Sequence, residues 1–291
     1  MDEGKFRRNS RAGGARVIAA RHTGPVIAIS VLSLKGGVGK TSVALGLAGA
    51  AAKRGLRVLV IDLDPQGNAT SILQARHGRD HAATVLAHPT GDSLKAAVTK
   101  TAWSFKEGRV DVVGSNPELI GFDAWTGKRS FAPKLARALK RLEGYDVVII
   151  DCPPSLGALT REALAASRLA VVVTTPSYFG AQGAERAIDE IDEIRTTVNP
   201  DLRFAGIVVN RLREKTEEHR YRKRELIAIH GPGAVLKPSV PERVALQQAE
   251  STGEPISAVK SAGARDVAKV FDKQMARLLK MARDADASSS E

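Results

Sequence analysis

Residues 26–32 form an almost unbroken apolar run, interrupted only by Ser30 and rich in Val and Ile, which is the composition of a strand covered on both faces. The same signature returns at 57–61, 110–113, 147–150, 170–174 and 206–209. Between these runs the apolar positions recur at helical spacing, over 41–53, 131–142, 159–167, 181–196 and 217–229. Strand and helix alternating in this way predict right-handed βαβ units, hence an α/β domain with a mostly parallel sheet and helices on both faces. Residues 76–109 are less regular and predict short helices, and a last amphipathic helix is expected over 264–283. One domain is therefore expected over 25–283. A flexible basic arm over 1–24 precedes it, and a disordered Asp/Ala/Ser tail over 284–291 follows.

Composition narrows the function classes. No apolar stretch approaches the ~20 residues that cross a bilayer, and the first residues lack the apolar core of a secretion signal, so a cytoplasmic location is expected. Aromatic residues make up only 4% of the chain, which argues against a stacking surface for single-stranded nucleic acid. The lone cysteine, Cys152, has no partner for a disulfide and an apolar flank, the setting of a buried small hydrophobe. Charge changes the picture most. A net charge of +12 favours polyanionic partners such as DNA, RNA or an acidic membrane face, although solvated surface and loose ends account for some of it.

The chemistry begins directly after the first strand, at Lys35-Gly36-Gly37-Val38-Gly39-Lys40-Thr41-Ser42. Glycines let such a loop turn its amides toward phosphate oxygens, and the following helix points its positive end at the same anion. Lys40 then supplies a charge to the β- and γ-phosphates, and the Thr41 hydroxyl a ligand for Mg²⁺. This is the phosphate-binding loop of a P-loop NTPase, with ATP and Mg²⁺ as expected cofactors. The second strand ends at Asp62-Leu63-Asp64-Pro65-Gln66-Gly67-Asn68, where the carboxyl ends of parallel strands place ligands. Two carboxylates there suit a metal shell for Asp62 and orientation of the attacking water for Asp64, while either also has a reading as the cap of the next turn or helix. The run Val147-Val148-Ile149-Ile150-Asp151, followed by Cys152-Pro153-Pro154, delivers a further carboxylate from a buried strand, as in Walker B sites, and makes Asp151 a metal-shell residue.

Together these motifs resemble the ParA/MinD group of deviant Walker A ATPases over roughly residues 26–282, and Lys35 marks the resemblance. It implies that Lys35 reaches across a homodimer to the partner's ATP, joining two half-sites into one closed sandwich. The 62–68 segment looks like ParA rather than MinD, as does the run from Val240 to Ala249 leading to Gly253-Glu254-Pro255-Ile256. The resemblance further implies that Asn210 reads adenine and that Pro241 and Val244 flank it. Ser33-Leu34 stands where the family commonly has Asn-Gln, and Ala245 where close relatives often have arginine. DNA-contacting charge must then come from elsewhere. Two basic runs are available, Arg211, Arg213, Lys215, Arg220, Arg222, Lys223 and Arg224 after the sixth strand, and Arg265, Lys269, Lys273, Arg277 and Lys280 on the last helix. Each also reads as an ordinary solvated helix face.

The expectation is a nucleoid-associated partition ATPase that dimerises on ATP, coats nonspecific DNA and is stimulated by a ParB-like partner. A MinD-like membrane switch is the alternative, resting on the stripe Val267, Val270, Phe271, Leu278 and Met281. Membrane attachment is the weaker expectation, because in a compact α/β domain such a helix usually packs on the sheet. A metabolic P-loop enzyme lacks a visible acceptor site or cluster-binding cysteines.

Overall fold

The structure is a computed structural model describing residues 26–75, 80–123 and 132–288; the basic arm expected over 1–24 lies outside them. Seven strands form one sheet: β1 (Ile27–Leu32), β2 (Arg57–Asp62), β3 (Val98–Lys100), β4 (Arg109–Val113), β5 (Val147–Asp151), β6 (Leu169–Thr174) and β7 (Arg203–Val209). Their spatial order is β3-β4-β2-β5-β1-β6-β7, parallel throughout except for β3, which runs antiparallel to β4 at one edge. β1 lies between β5 and β6 and is buried along its whole length, as its unbroken apolar run requires.

Side chains alternate between two cores. Ile27, Ile29 and Val31 point into the one built with α1 (Lys40–Lys53), α10 (Val244–Thr252) and α11 (Ala262–Ser288). Ala28 and Leu32 point into the other, which takes in α3 (Ala82–Ala87), α4 (Gly91–Ala97), α6 (Lys134–Leu139), α7 (Ala158–Ala165), α8 (Tyr178–Thr197) and α9 (Glu217–His230). Two shorter helices, α2 (Asn68–Ile72) and α5 (Leu119–Asp123), follow β2 and β4.

Several boundaries differ from the sequence expectation, each for a local reason. The helix expected over 131–142 is confined to Lys134–Leu139, because Pro133 sits at its N-cap and fixes the entry. α8 begins at Tyr178, earlier than expected, where the Ser177 side chain caps it by accepting from Gly180 N. α11 continues past Arg283 to Ser288. The Asp/Ala composition read as a disordered tail also suits a helix end, and Ala285 is still buried. β3 is three residues long and has no periodicity to detect.

The packing of α11 on α1 depends on Gly46, since a Cβ there would overlap the Phe271 ring. Gly46→Val should therefore cost about 1–3 kcal/mol as an overpacked core position. An unchanged urea midpoint would show that Phe271 does not occupy that groove.

Candidate active site

The loop between β1 and α1 places its residues at the carboxyl end of the sheet. Gly39 caps α1 in the left-handed region (φ 80°), and a side chain there would run into the Asn210 amide. The first turn of α1 carries no acidic residue, which leaves its positive end open to an anion. Lys40 is buried directly behind this end. Its Nζ donates to Asp151 Oδ1 at 2.6 Å and lies 3.7 Å from Asp64 Oδ2, while Thr41 Oγ1 donates to Asp151 Oδ2 at 2.7 Å.

β2 and β5 are paired in register so that Asp62 stands beside Asp151. Asp62 is fully buried, and both of its oxygens are engaged. Oδ2 accepts from Thr70 N (2.8 Å) and Thr70 Oγ1 (2.7 Å), and Oδ1 from Asp64 N (3.2 Å). Asp62 thus holds the loop that carries Asp64. Asp64 in turn accepts from Gln66 N at 3.0 Å through Oδ1.

Crowding shows in the electrostatics. Burial and then the Asp151 charge push the Asp62 carboxyl up to about 7, against the pull of the Thr70 hydrogen bonds. Burial also raises Asp151, despite Lys40 and Thr41. Burial opposes the Lys40 charge, but the Asp151 carboxylate more than offsets it and holds the ammonium above its ordinary range. Three carboxylates around one ammonium make a centre with room for further positive charge. Among the described residues no three His, Cys, Asp or Glu are grouped to cage a metal alone. That suits a hard cation held by one hydroxyl, a carboxylate and substrate phosphates, as Mg²⁺ commonly is. Thr41 and Asp151 are the residues fitted to hold it. Cys152 is fully buried and burial pushes its thiol up, so it takes no part.

Two cavities meet at this point. One, of about 310 Å³, is walled by the whole 35–42 loop with Asp64, Gln66 and Pro154. The second, of about 360 Å³, is walled by Asn210, Arg211, Val244, Leu246 and Gln247 among others. Gly36, Gly37 and Lys35 are exposed at the rim of the first, whereas Val38 is buried beneath it. Asn210 is buried and donates to Val38 O at 2.8 Å, tying β7 to the loop. Val244 stands 77% exposed at the head of α10. Pro241 is half-buried and bridged to Leu212, and it is not among the residues that wall this cavity. A larger cavity of about 580 Å³ opens at the opposite ends of the strands, near Tyr145 and Arg168, away from all of this chemistry.

Sequence reasoning missed three contributors. Thr70 and Ser115 brace the acidic loop, Ser115 donating to Asp64 O at 2.5 Å and to Thr70 Oγ1 through its amide at 2.9 Å. Glu250 accepts from the Ser42 hydroxyl. Thr70 follows the Asp62 motif closely enough to have been included with it, whereas nothing local marks Glu250.

The basic candidates divide. Arg213 is paired with Glu242, Arg220 with Glu217, and Arg222 with Glu218 and Glu225. Arg222 also lies over the Tyr178 and Tyr221 rings, which makes it a hub of α9 packing. Lys223 and Arg224 make no ion pair among the described residues, and Arg211 and Lys215 are exposed. On α11, Arg265, Lys269, Lys273 and Lys280 are all exposed on one side of the helix, and Arg277 donates to Gly233 O. The opposite stripe is turned inward. Val267, Phe271 and Leu278 are fully buried, and Val270 nearly so.

A family model described as an AAA domain matches residues 26–204. The chain is 36% identical over 253 residues to the chromosome-partitioning ATPase Soj of Thermus thermophilus, spanning 86% of this chain and 96% of that one. It is 34% identical to the chromosome partitioning protein ParA of Myxococcus xanthus, over 80% and 81% of the two chains. Among solved structures it is similar to cobyrinic acid a,c-diamide synthase from Mycobacterium smegmatis, determined with ADP and magnesium. There the TM-score is 0.67 at 30% identity, covering 85% of this chain and 93% of that one.

Proposed function

The chain belongs to the ParA/Soj family of partition ATPases, and from that footing we propose that it is an ATP-gated switch that moves or positions DNA. It takes ATP with Mg²⁺, closes as a homodimer, and binds nonspecific DNA in the closed state. A ParB-like partner stimulates its otherwise slow hydrolysis and so releases it. The reading is carried by the convergence of Lys40, Thr41, Asp64 and Asp151 at the head of α1.

The loop 35–42 and the open end of α1 bind the triphosphate, with Lys40 as countercharge. Mg²⁺, when bound, neutralises phosphate charge; Thr41 and Asp151 hold it, and Asp62 keeps the neighbouring loop in place. Asp64, fixed through the Gln66 amide and Ser115, orients the attacking water. Asn210 and Val244 form the surroundings of the base, and Pro241, off that wall, shapes the segment that leads to Val244. Only a state that binds DNA better than the nucleotide-free state can be switched by ATP, so the closed dimer has to present the DNA surface.

The row Arg265, Lys269, Lys273 and Lys280 on α11 supports DNA as the polyanion, since it is exposed and makes no ion pair among the described residues. The buried stripe on the other side of α11 removes the surface that a membrane switch would insert. No helix among the described residues is long and apolar enough to cross a membrane. Co-sedimentation with DNA and with anionic vesicles, with and without ATP, tests the reading on the wild type and on Asp64→Ala, which should stay closed and DNA-bound. Retention by vesicles alone would overturn it.

The α11 row gives a quantitative form of the same test. For Lys269→Ala/Lys273→Ala, the slope of log K against log salt should fall by about 0.9 for each phosphate contact removed. Fluorescence anisotropy on a DNA duplex with ATP across a KCl series measures it. An unchanged slope would place the DNA surface elsewhere.

A further inference from the structure

The two cavities of the candidate site share three residues, Ser42, Arg211 and Glu250. A nucleotide with its phosphates against the 35–42 loop and its base in the second cavity has to carry its sugar across the neck that these residues form. The geometry points to Glu250 as the residue that reads this sugar, its carboxylate accepting a hydrogen bond from a ribose hydroxyl. The inference rests on the ATP reading given above.

An ionised carboxylate accepts hydrogen bonds and donates none. Next to a triphosphate it repels the phosphates, so Glu250 is no phosphate ligand; the donors a nucleotide offers between base and phosphates are its sugar hydroxyls. The carboxylate is held for that use. Ser42 on the first turn of α1 donates to Oε1, which ties α10 to the loop and fixes the rotamer, while Oε2 has no partner among the described residues. Glu250 is half-buried, so a bond made there is partly shielded from water. Glu242, the other carboxylate of the base cavity, is engaged by Arg213 and does not reach the loop cavity.

Arg211 completes the neck. Its backbone is in the left-handed region (φ 55°), held there by its amide donating to Asn210 Oδ1 at 2.9 Å. A guanidinium on this residue offsets the charge that Glu250 brings beside the phosphates. The simpler role for Glu250, a tie between α10 and α1 with no view of the ligand, makes a different prediction.

The test measures dissociation constants of ATP, 2′-deoxy-ATP and 3′-deoxy-ATP with Mg²⁺, by calorimetry, on the full-length wild type, Glu250→Gln and Glu250→Ala. The wild type should bind ATP about tenfold or more tightly than the analogue whose missing hydroxyl faces Glu250, the value of a hydrogen bond to a charged group. Glu250→Ala should lose ATP affinity down to the level of that analogue while binding the analogue as the wild type does. Glu250→Gln, which keeps one carbonyl acceptor, should fall between. Equal wild-type affinity for all three nucleotides overturns the inference alone. So does an equal loss across all three in Glu250→Ala, which is the signature of a structural tie. Failure of the wild type to bind any of them overturns the ATP reading, and this inference with it.

Discussion

Lys40→Ala is expected to bind no ATP measurable by calorimetry and, in the same stroke, to lose stability without nucleotide. The two effects have one source. In the proposed function Lys40 Nζ is the side-chain countercharge for a triphosphate bound at the head of α1. Without ligand it is committed to Asp151, at 2.6 Å with both groups buried. Removing one partner of a buried pair leaves the other uncompensated, at about 3–5 kcal/mol. Burial already holds the Asp151 carboxyl above the usual range with Lys40 beside it, so in the variant it takes up a proton more readily, which limits that cost. Pairing Lys40→Ala with Asp151→Asn separates the roles. The second substitution takes away the stranded charge and should return most of the lost unfolding free energy, yet ATP binding should stay absent. Wild-type nucleotide affinity in Lys40→Ala would remove the phosphate-loop assignment altogether.

That centre was readable from sequence because each of its parts lies within one short segment. The 35–42 loop, the 62–68 segment and the 147–151 run each carry glycines or carboxylates at the end of an apolar strand, and parallel strands bring their carboxyl ends together whatever their order in the sheet. Glu250 was not readable for the opposite reason. Its partner Ser42 is 208 residues away, and a glutamate on an amphipathic helix looks like any solvated residue until the helix is placed. The last helix shows the same limit in another form. Its apolar stripe fits lipid and fits a sheet equally well, and only the contact with Gly46 and its neighbours decides between them. The basic run at 211–224 is a different case. Glu218 lies four residues before Arg222 and Glu225 three after it, the spacing of helical ion pairs, so part of its neutralisation was already visible in the letters. The row on α11 does have acids at those spacings, Asp266 and Asp272 three residues either side of Lys269 and Asp284 four after Lys280, yet Asp272 is taken by Arg54 and none of the four basic side chains is in an ion pair among the described residues.

Lys35→Ala is expected to bind ATP nearly as the wild type does and yet to lose most of its hydrolysis. Within one protomer the Lys35 side chain is exposed and makes no ion pair among the described residues, so it contributes nothing to the fold that its loss would damage. Its position at the rim of the loop cavity is what gives it a task. In the proposed closed dimer the two rims would face each other, and the ammonium of one protomer would reach the phosphates held by the other. There it would stabilise the charge that develops as the γ-phosphoryl group leaves. An arginine supplied in this way is worth about 10³–10⁵ in rate, so a lysine in the same role should be well within measurement. Lys40 and the loop remain intact in the variant, which is why binding is spared. Mixing isolates the trans action. Lys35→Ala protomers bring an intact Asp64, and Asp64→Ala protomers bring an intact Lys35, so each heterodimer contains one complete composite site and should recover part of the ATPase rate that neither variant shows alone. If Lys35→Ala hydrolyses ATP at the wild-type rate with DNA and a stimulating partner present, the charge is not acting across an interface. The shared-site dimer then fails as a model for this chain, while the loop, Lys40 and Asp151 keep their roles within one protomer.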